Sequence, residues 1–147
     1  MIDFSTLKEL YVDGKKVAEL YFNGKKVKMA EQQPKDYLKL TSLAIGGSMS
    51  LLKNGTPDEF SLEYSTDDGN SWHDYAESQV IPLNEDKSVM FRRKGNATQV
   101  FSKDYNNYWH FVLNGTWKAS GNIMSLLDAS MESTTVGKYA FARLFLD

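Results

Sequence analysis

The sequence predicts an all-β protein: an antiparallel β-sandwich preceded by a small three-stranded β-meander, with at most one or two short helices near its C-terminus. Three observations carry that expectation. Turn-forming dipeptides recur roughly every 8–12 residues. Between them apolar and polar residues alternate, as in "YLKLTSLAI" (37–45). Helical spacing is confined to "NIMSLLDASM" (122–131) and "GKYAFARLF" (137–145), where Tyr139, Arg143 and the Phe141/Phe145 pair would share helical faces.

The first element is a ten-residue unit that occurs twice in "ELYVDGKKVAELYFNGKKV" (9–27). Asp13-Gly14 and Asn23-Gly24 are dipeptides that favour two-residue type I′ turns, because both central residues there need positive φ. Strands near 7–12, 15–22 and 25–29 follow, and residues 1–30 form the meander. With two-residue turns, one face carries an apolar set of Leu7, Tyr11, Leu20, Phe22, Val27 and Met29. Three short strands are marginal alone, so that face requires a cover and is the predicted assembly surface. "EQQPKD" (31–36) is polar, holds a proline and reads as a linker.

Residues 37–131 supply the sandwich strands. "GGSMSLLKNG" is a strand ended by Asn54-Gly55, and "FSLEYSTDDGNSWHDY" is a strand, an acidic turn and a returning strand. "SQVIPLNEDKSVMFRRKGN" gives two more around 84–86, and "TQVFSKDYNNYWHFVLNGTW" adds aromatic-rich ones. Residues 132–147 form a separate C-terminal segment.

Composition narrows the function. A chain of 147 residues buries a proper core in one main domain. Seventeen basic and 19 acidic residues, net −2, give no general attraction to nucleic acid or anionic membrane. No run of 18 apolar residues occurs, so no spanning helix is expected. Zero cysteines exclude disulfides and thiolate zinc sites. "MIDFSTLKEL" has neither the basic nor the apolar part of a secretory signal. Neither a cofactor nor a metal is expected. Two histidines, His73 and His110, and none of the common catalytic motifs leave catalysis the least supported class.

Three constellations stand out. Ser65, Asp67, Gly69, Ser71 and Trp72 fit S-x-D-x-G-x-[ST]-W, which resembles an Asp-box, a hairpin motif of sialidases and many unrelated β proteins. The resemblance implies a turn: the aspartate accepts N–H bonds across it, the glycine supplies positive φ and the tryptophan packs beneath. A calcium ion on Glu63, Asp67 and Asp68 is the alternative, without the spacing of a dedicated loop. Tyr105, Tyr108 and Trp109 in "YNNYWHF" are a candidate glycan platform, weighed against their use as core filler. Arg92-Arg93-Lys94 with the two Lys-Lys pairs is a candidate phosphate surface, weighed against solvated, edge-protecting lysines.

"LEYSTDDGNSW" (62–72) and "ASGNIMSLLD" (119–128) resemble the β-rich domain of phage and surface proteins of gut Bacteroidales that precedes adhesin-type leucine-rich repeats. "YAFARLF" (139–145) is similar to the start of a first such repeat, and residues 8–27 to the amino-terminal strands of phage virion components. The resemblance implies a non-enzymatic virion structural protein, the anchoring domain of a fibre or of a head or tail decoration. Its partners would be other virion proteins or sister copies, and it would be assembled in the host cytoplasm. A bacterial cell-surface adhesin or carbohydrate-binding module meeting a host-surface glycan is the second reading. A glycan-degrading enzyme is the third.

Overall fold

A computed structural model describes residues 11–12, 15–16, 20–27, 35–59 and 61–145, and side chains mainly from Lys35 onward. The chain divides into two compact units, 1–35 and 36–147.

In the first unit, β1 (Tyr11–Val12) pairs with β2 (Lys15–Lys16), and β3 (Leu20–Phe22) pairs with β4 (Lys25–Val27). Tyr11 lies opposite Lys16 and Val12 opposite Lys15; ten residues on, Tyr21 lies opposite Lys26 and Phe22 opposite Lys25. The repeat in sequence is therefore a repeat in register. Asn23 and Gly24 have φ of 50° and 72°, the two left-handed residues of a type I′ turn. Among the described residues these strands form two two-stranded ladders, and residues 17–19, through which the middle strand of the expected meander would run, lie outside the described residues. No described residue between 15 and 22 has partners on both sides. Leu7, Met29 and the side chains of Tyr11, Leu20, Phe22 and Val27 lie outside the described residues, as does most of the expected linker.

The second unit is an antiparallel sandwich. Its larger sheet orders β12 (Trp117–Ser120), β5 (Leu38–Ser42), β10 (Ser88–Lys94), β7 (Ser61–Ser65) and β8 (His73–Asp74). The smaller orders β11 (Tyr108–Asn114), β6 (Gly47–Asn54) and β9 (Ile81–Leu83). Alternation decides the inner faces. Leu38, Leu40, Leu62, Val89 and Phe91 from one sheet meet Met49, Leu51, Ile81, Leu83 and Phe111 from the other, all nearly or fully buried. Among the described strands of this unit only β7 and β8 are neighbours in both sequence and sheet; the other connections cross between sheets.

The stretch after β12 is explained by packing. Gly121 has φ of 78°, and a Cβ there would lie 2.0 Å from the Tyr37 carbonyl oxygen, so only glycine fits. Asn122 caps a short 3₁₀ helix (Ile123–Leu126), its side chain accepting from the Met124 N–H at 2.9 Å. Leu126 and Leu127 are fully buried beneath the sheet.

Two expectations for the C-terminus are corrected. Residues 137–145 are successive turns rather than a helix, because Tyr139 and Arg143 have φ of 64° and 55°. Nor does 132–147 stand apart from the sandwich: Ala140 and Leu144 belong to the core, and the N–H groups of Phe101, Ser102 and Phe111 donate to their carbonyls. Asp36 also belongs to the sandwich rather than to a linker, its carbonyl accepting from the Asn122 N–H at 2.6 Å.

Candidate functional sites

The acidic turn joins β7 to β8 and is organised by two residues. Ser65 is fully buried at the end of β7, and its hydroxyl donates to Asp67 Oδ1 at 2.7 Å while accepting from the Gly69 N–H at 2.9 Å. Asp67 Oδ1 also takes the Ser71 N–H at 2.9 Å, and Oδ2 takes the Ser71 hydroxyl at 2.6 Å. Gly69 has φ of 85° and Asp68 of 57°, and the Trp72 indole donates to the Gly69 carbonyl at 3.1 Å. The hydroxyls of Ser71 and Ser65, then the Ser71 N–H, hold Asp67 down to a pKa of about 2. It is an acceptor at any working pH, with no proton to give.

The three carboxylates considered for calcium are engaged elsewhere. Asp67 closes its own turn, Asp68 pairs with Lys39 at 2.6 Å, and Glu63 takes the Arg92 Nε at 2.7 Å. Among the described residues no three metal-ligating side chains converge. The Arg92 guanidinium also lies 4.1 Å from the centre of the Trp72 ring, and Tyr37 meets that ring edge-on at 5.0 Å. Lys94 pairs with Asp74. Arg92 and Lys94 are thus tied into cross-strand pairs on the outer face of the larger sheet, while Arg93, on the other side of β10, donates to the Asn96 carbonyl at 2.6 Å.

The aromatic segment needs a sharper correction. Trp109 is 4% exposed and lies in the core, its indole donating to the Asp58 carbonyl at 3.1 Å. Tyr108 is 7% exposed beneath Arg143, whose guanidinium is 5.4 Å from its ring. Neither offers a face to a sugar. Tyr105 does, at 55% exposed.

Tyr105 sits on a locked loop. The Asp104 carboxylate accepts from the N–H groups of Asn106 and Asn107 at 2.8 and 2.9 Å, and from the Asn107 amide. Those bonds, the Asn107 side chain foremost, lower the Asp104 pKa. The Tyr105 ring meets Tyr139 edge-on at 4.8 Å, and the Lys138 ammonium lies 4.8 Å over the far ring of that pair. Tyr139, Lys138 and Arg143 are functional candidates that the helical reading of 137–145 concealed. Their signal was the cation–aromatic pair Lys138-Tyr139 with Arg143 four residues on.

Two cavities are lined by described residues. One of about 130 Å³ has an apolar floor of Leu51, Leu62 and Trp109, with Glu59 and Glu77 at its mouth. Lys53 joins those carboxylates at 3.0 and 2.9 Å, and Glu77 then Glu59 raise its pKa. The other, about 540 Å³, runs along the outer edge of β11 between Phe145 and Trp117, beside His110. Burial lowers the His110 pKa, and its Nδ1 is buried without a hydrogen-bond partner among the described residues. His73 is exposed, its Nε2 3.5 Å from the Ser71 hydroxyl, which donates to Asp67 Oδ2 at 2.6 Å.

No protein-family model, curated protein or solved structure matches the chain.

Proposed function

We propose that the chain is a non-enzymatic structural component of a phage virion, the anchoring domain of a fibre or of a head or tail decoration. It works through protein–protein assembly, with residues 1–30 as the attachment element. One observation carries the reading: the two hairpins share one register and lie in a unit of their own, ahead of a sandwich with a complete core. Short ladders of two strands each have few internal contacts, and such elements gain stability by adding to a partner's sheet or surface. The tied-up carboxylates of the acidic turn fit a scaffold better than a glycan-degrading enzyme. No helix among the described residues is long and apolar enough to cross a membrane.

The test compares the full chain with residues 36–147 alone. The full chain is expected to self-associate or to co-purify with virions, and the shortened one to remain a folded monomer that does neither. A full chain that is monomeric and absent from virions sinks the proposal.

A further inference from the structure

We propose that the strip where 137–145 crosses 103–108 binds an acidic saccharide, with Tyr105 as the stacking face and Lys138 and Arg143 as the groups that hold its anion. The proposal stands independently of the virion reading. Its first support is exposure with rigidity: Tyr105 offers a ring from a turn that Asp104 fixes, so little ordering remains to be done on binding.

The second support is what 137–145 does beyond filling the core. Ala140 and Leu144 supply its core contacts. Their neighbours Tyr139 and Arg143 hold left-handed φ, a costly state for side chains of that size, and reach Tyr105 and Tyr108 instead. Third, neither Lys138 nor Arg143 has a carboxylate within ion-pair distance among the described residues, whereas Lys39, Lys53, Arg92 and Lys94 all do. An ammonium over Tyr139, the ring that meets the open Tyr105, and a guanidinium over the neighbouring Tyr108 suit a pyranose carrying a carboxylate or sulfate. A nucleic-acid strand needs successive open rings, but the Tyr139 ring already lies beneath Lys138, and the chain's net charge is −2.

The experiment applies the full chain to an array of uronate-, sialate- and sulfate-bearing oligosaccharides. Calorimetric titration follows with trigalacturonate, sialyllactose, neutral galactotriose and oligo(dT). At least one acidic sugar should bind and galactotriose should not. Tyr105→Ala should abolish binding and Tyr105→Phe should keep it. Lys138→Gln and Arg143→Gln should each weaken it about tenfold. Far-ultraviolet circular dichroism of each variant should match that of the parent. Four results overturn the proposal: no acidic sugar bound, equal binding of galactotriose, binding indifferent to Tyr105→Ala, or oligo(dT) bound through these residues instead.

Discussion

The hydroxyl of Ser125 stands between Leu38 and Phe91, donating to the Phe91 carbonyl at 2.8 Å and accepting from the Leu38 N–H at 3.0 Å. Those two residues are opposite one another where β5 and β10 pair, and Ser125 is fully buried. A side chain from the 3₁₀ helix thus completes the end of a backbone ladder, and the serine of "SGNIMSLL" has a structural reason to be there. Ser125→Ala leaves a buried donor and a buried acceptor unpaired, so we expect a loss of about 2–4 kcal/mol in urea unfolding. An unchanged urea midpoint would show that the hydroxyl is dispensable.

Stability should fall as the solution is acidified from about pH 4 to about pH 2. The pKa of Asp67 and that of Asp128 are both brought down from 3.8 to about 2. For Asp128, burial pushes upward, but the hydroxyls and N–H groups of Ser130 and Ser133 outweigh it. A carboxylate with a depressed folded pKa contributes its full stability above the unfolded value and loses it as pH falls through the folded one. Asp104 is lowered as well, and Asp67→Asn removes one of these titrations, so its acid limb should be shallower than the parent's. At pH 7 the asparagine variant should outlast Asp67→Ala, because an amide still accepts from Ser65 and Ser71. Thermal melts of the three proteins across this range decide the matter.

Adjacent aromatics should respond in opposite ways. Trp109→Ala opens the core and strands the Asp58 carbonyl, so about 3–5 kcal/mol of stability should be lost. Tyr105→Ala removes a ring that is 55% exposed and should cost less than about 0.5 kcal/mol. Urea denaturation of both variants tests the assignment. A large loss at Tyr105 would make it a packing residue.

The strands were legible because alternation and Asn-Gly or Asp-Gly signals are local. Asn23-Gly24 gave its turn and register directly, and the acidic turn gave Asp67, Gly69 and Trp72. Partners were not legible: Asn54-Gly55 and Asn114-Gly115 look like hairpin turns, yet they end strands whose successors lie in the other sheet. Tyr108 and Trp109 defeated the period of two. As adjacent strand residues they point to opposite faces, and both are buried only because 137–145 crosses above Tyr108. The same crossing produced the Tyr105–Tyr139 contact, which joins residues 34 apart in sequence and has no local signature.

The last prediction concerns where the sandwich ends. The sequence placed a boundary after Met131, but the core continues through Ala140 and Leu144, which are 4% and 3% exposed. Their carbonyls take the N–H groups of Phe101, Ser102 and Phe111 at 2.8–3.1 Å, and Gln99 takes the N–H of Gly137 at 2.7 Å. Ending the chain at Met131 would leave three N–H donors without partners and uncover Phe101 and Phe111, two of the largest buried side chains. Each buried donor left unpaired costs about 1–3 kcal/mol, against a total stability of about 5–15 kcal/mol for a domain. The shortened chain should therefore lose its cooperative unfolding transition and bind a hydrophobic dye. Leu144→Ala, a milder version of the same lesion, should keep the fold and lose about 2–5 kcal/mol. If the chain ending at Met131 instead unfolds cooperatively at the parent's urea midpoint, residues 132–147 are an appendage and the boundary belongs where the sequence put it.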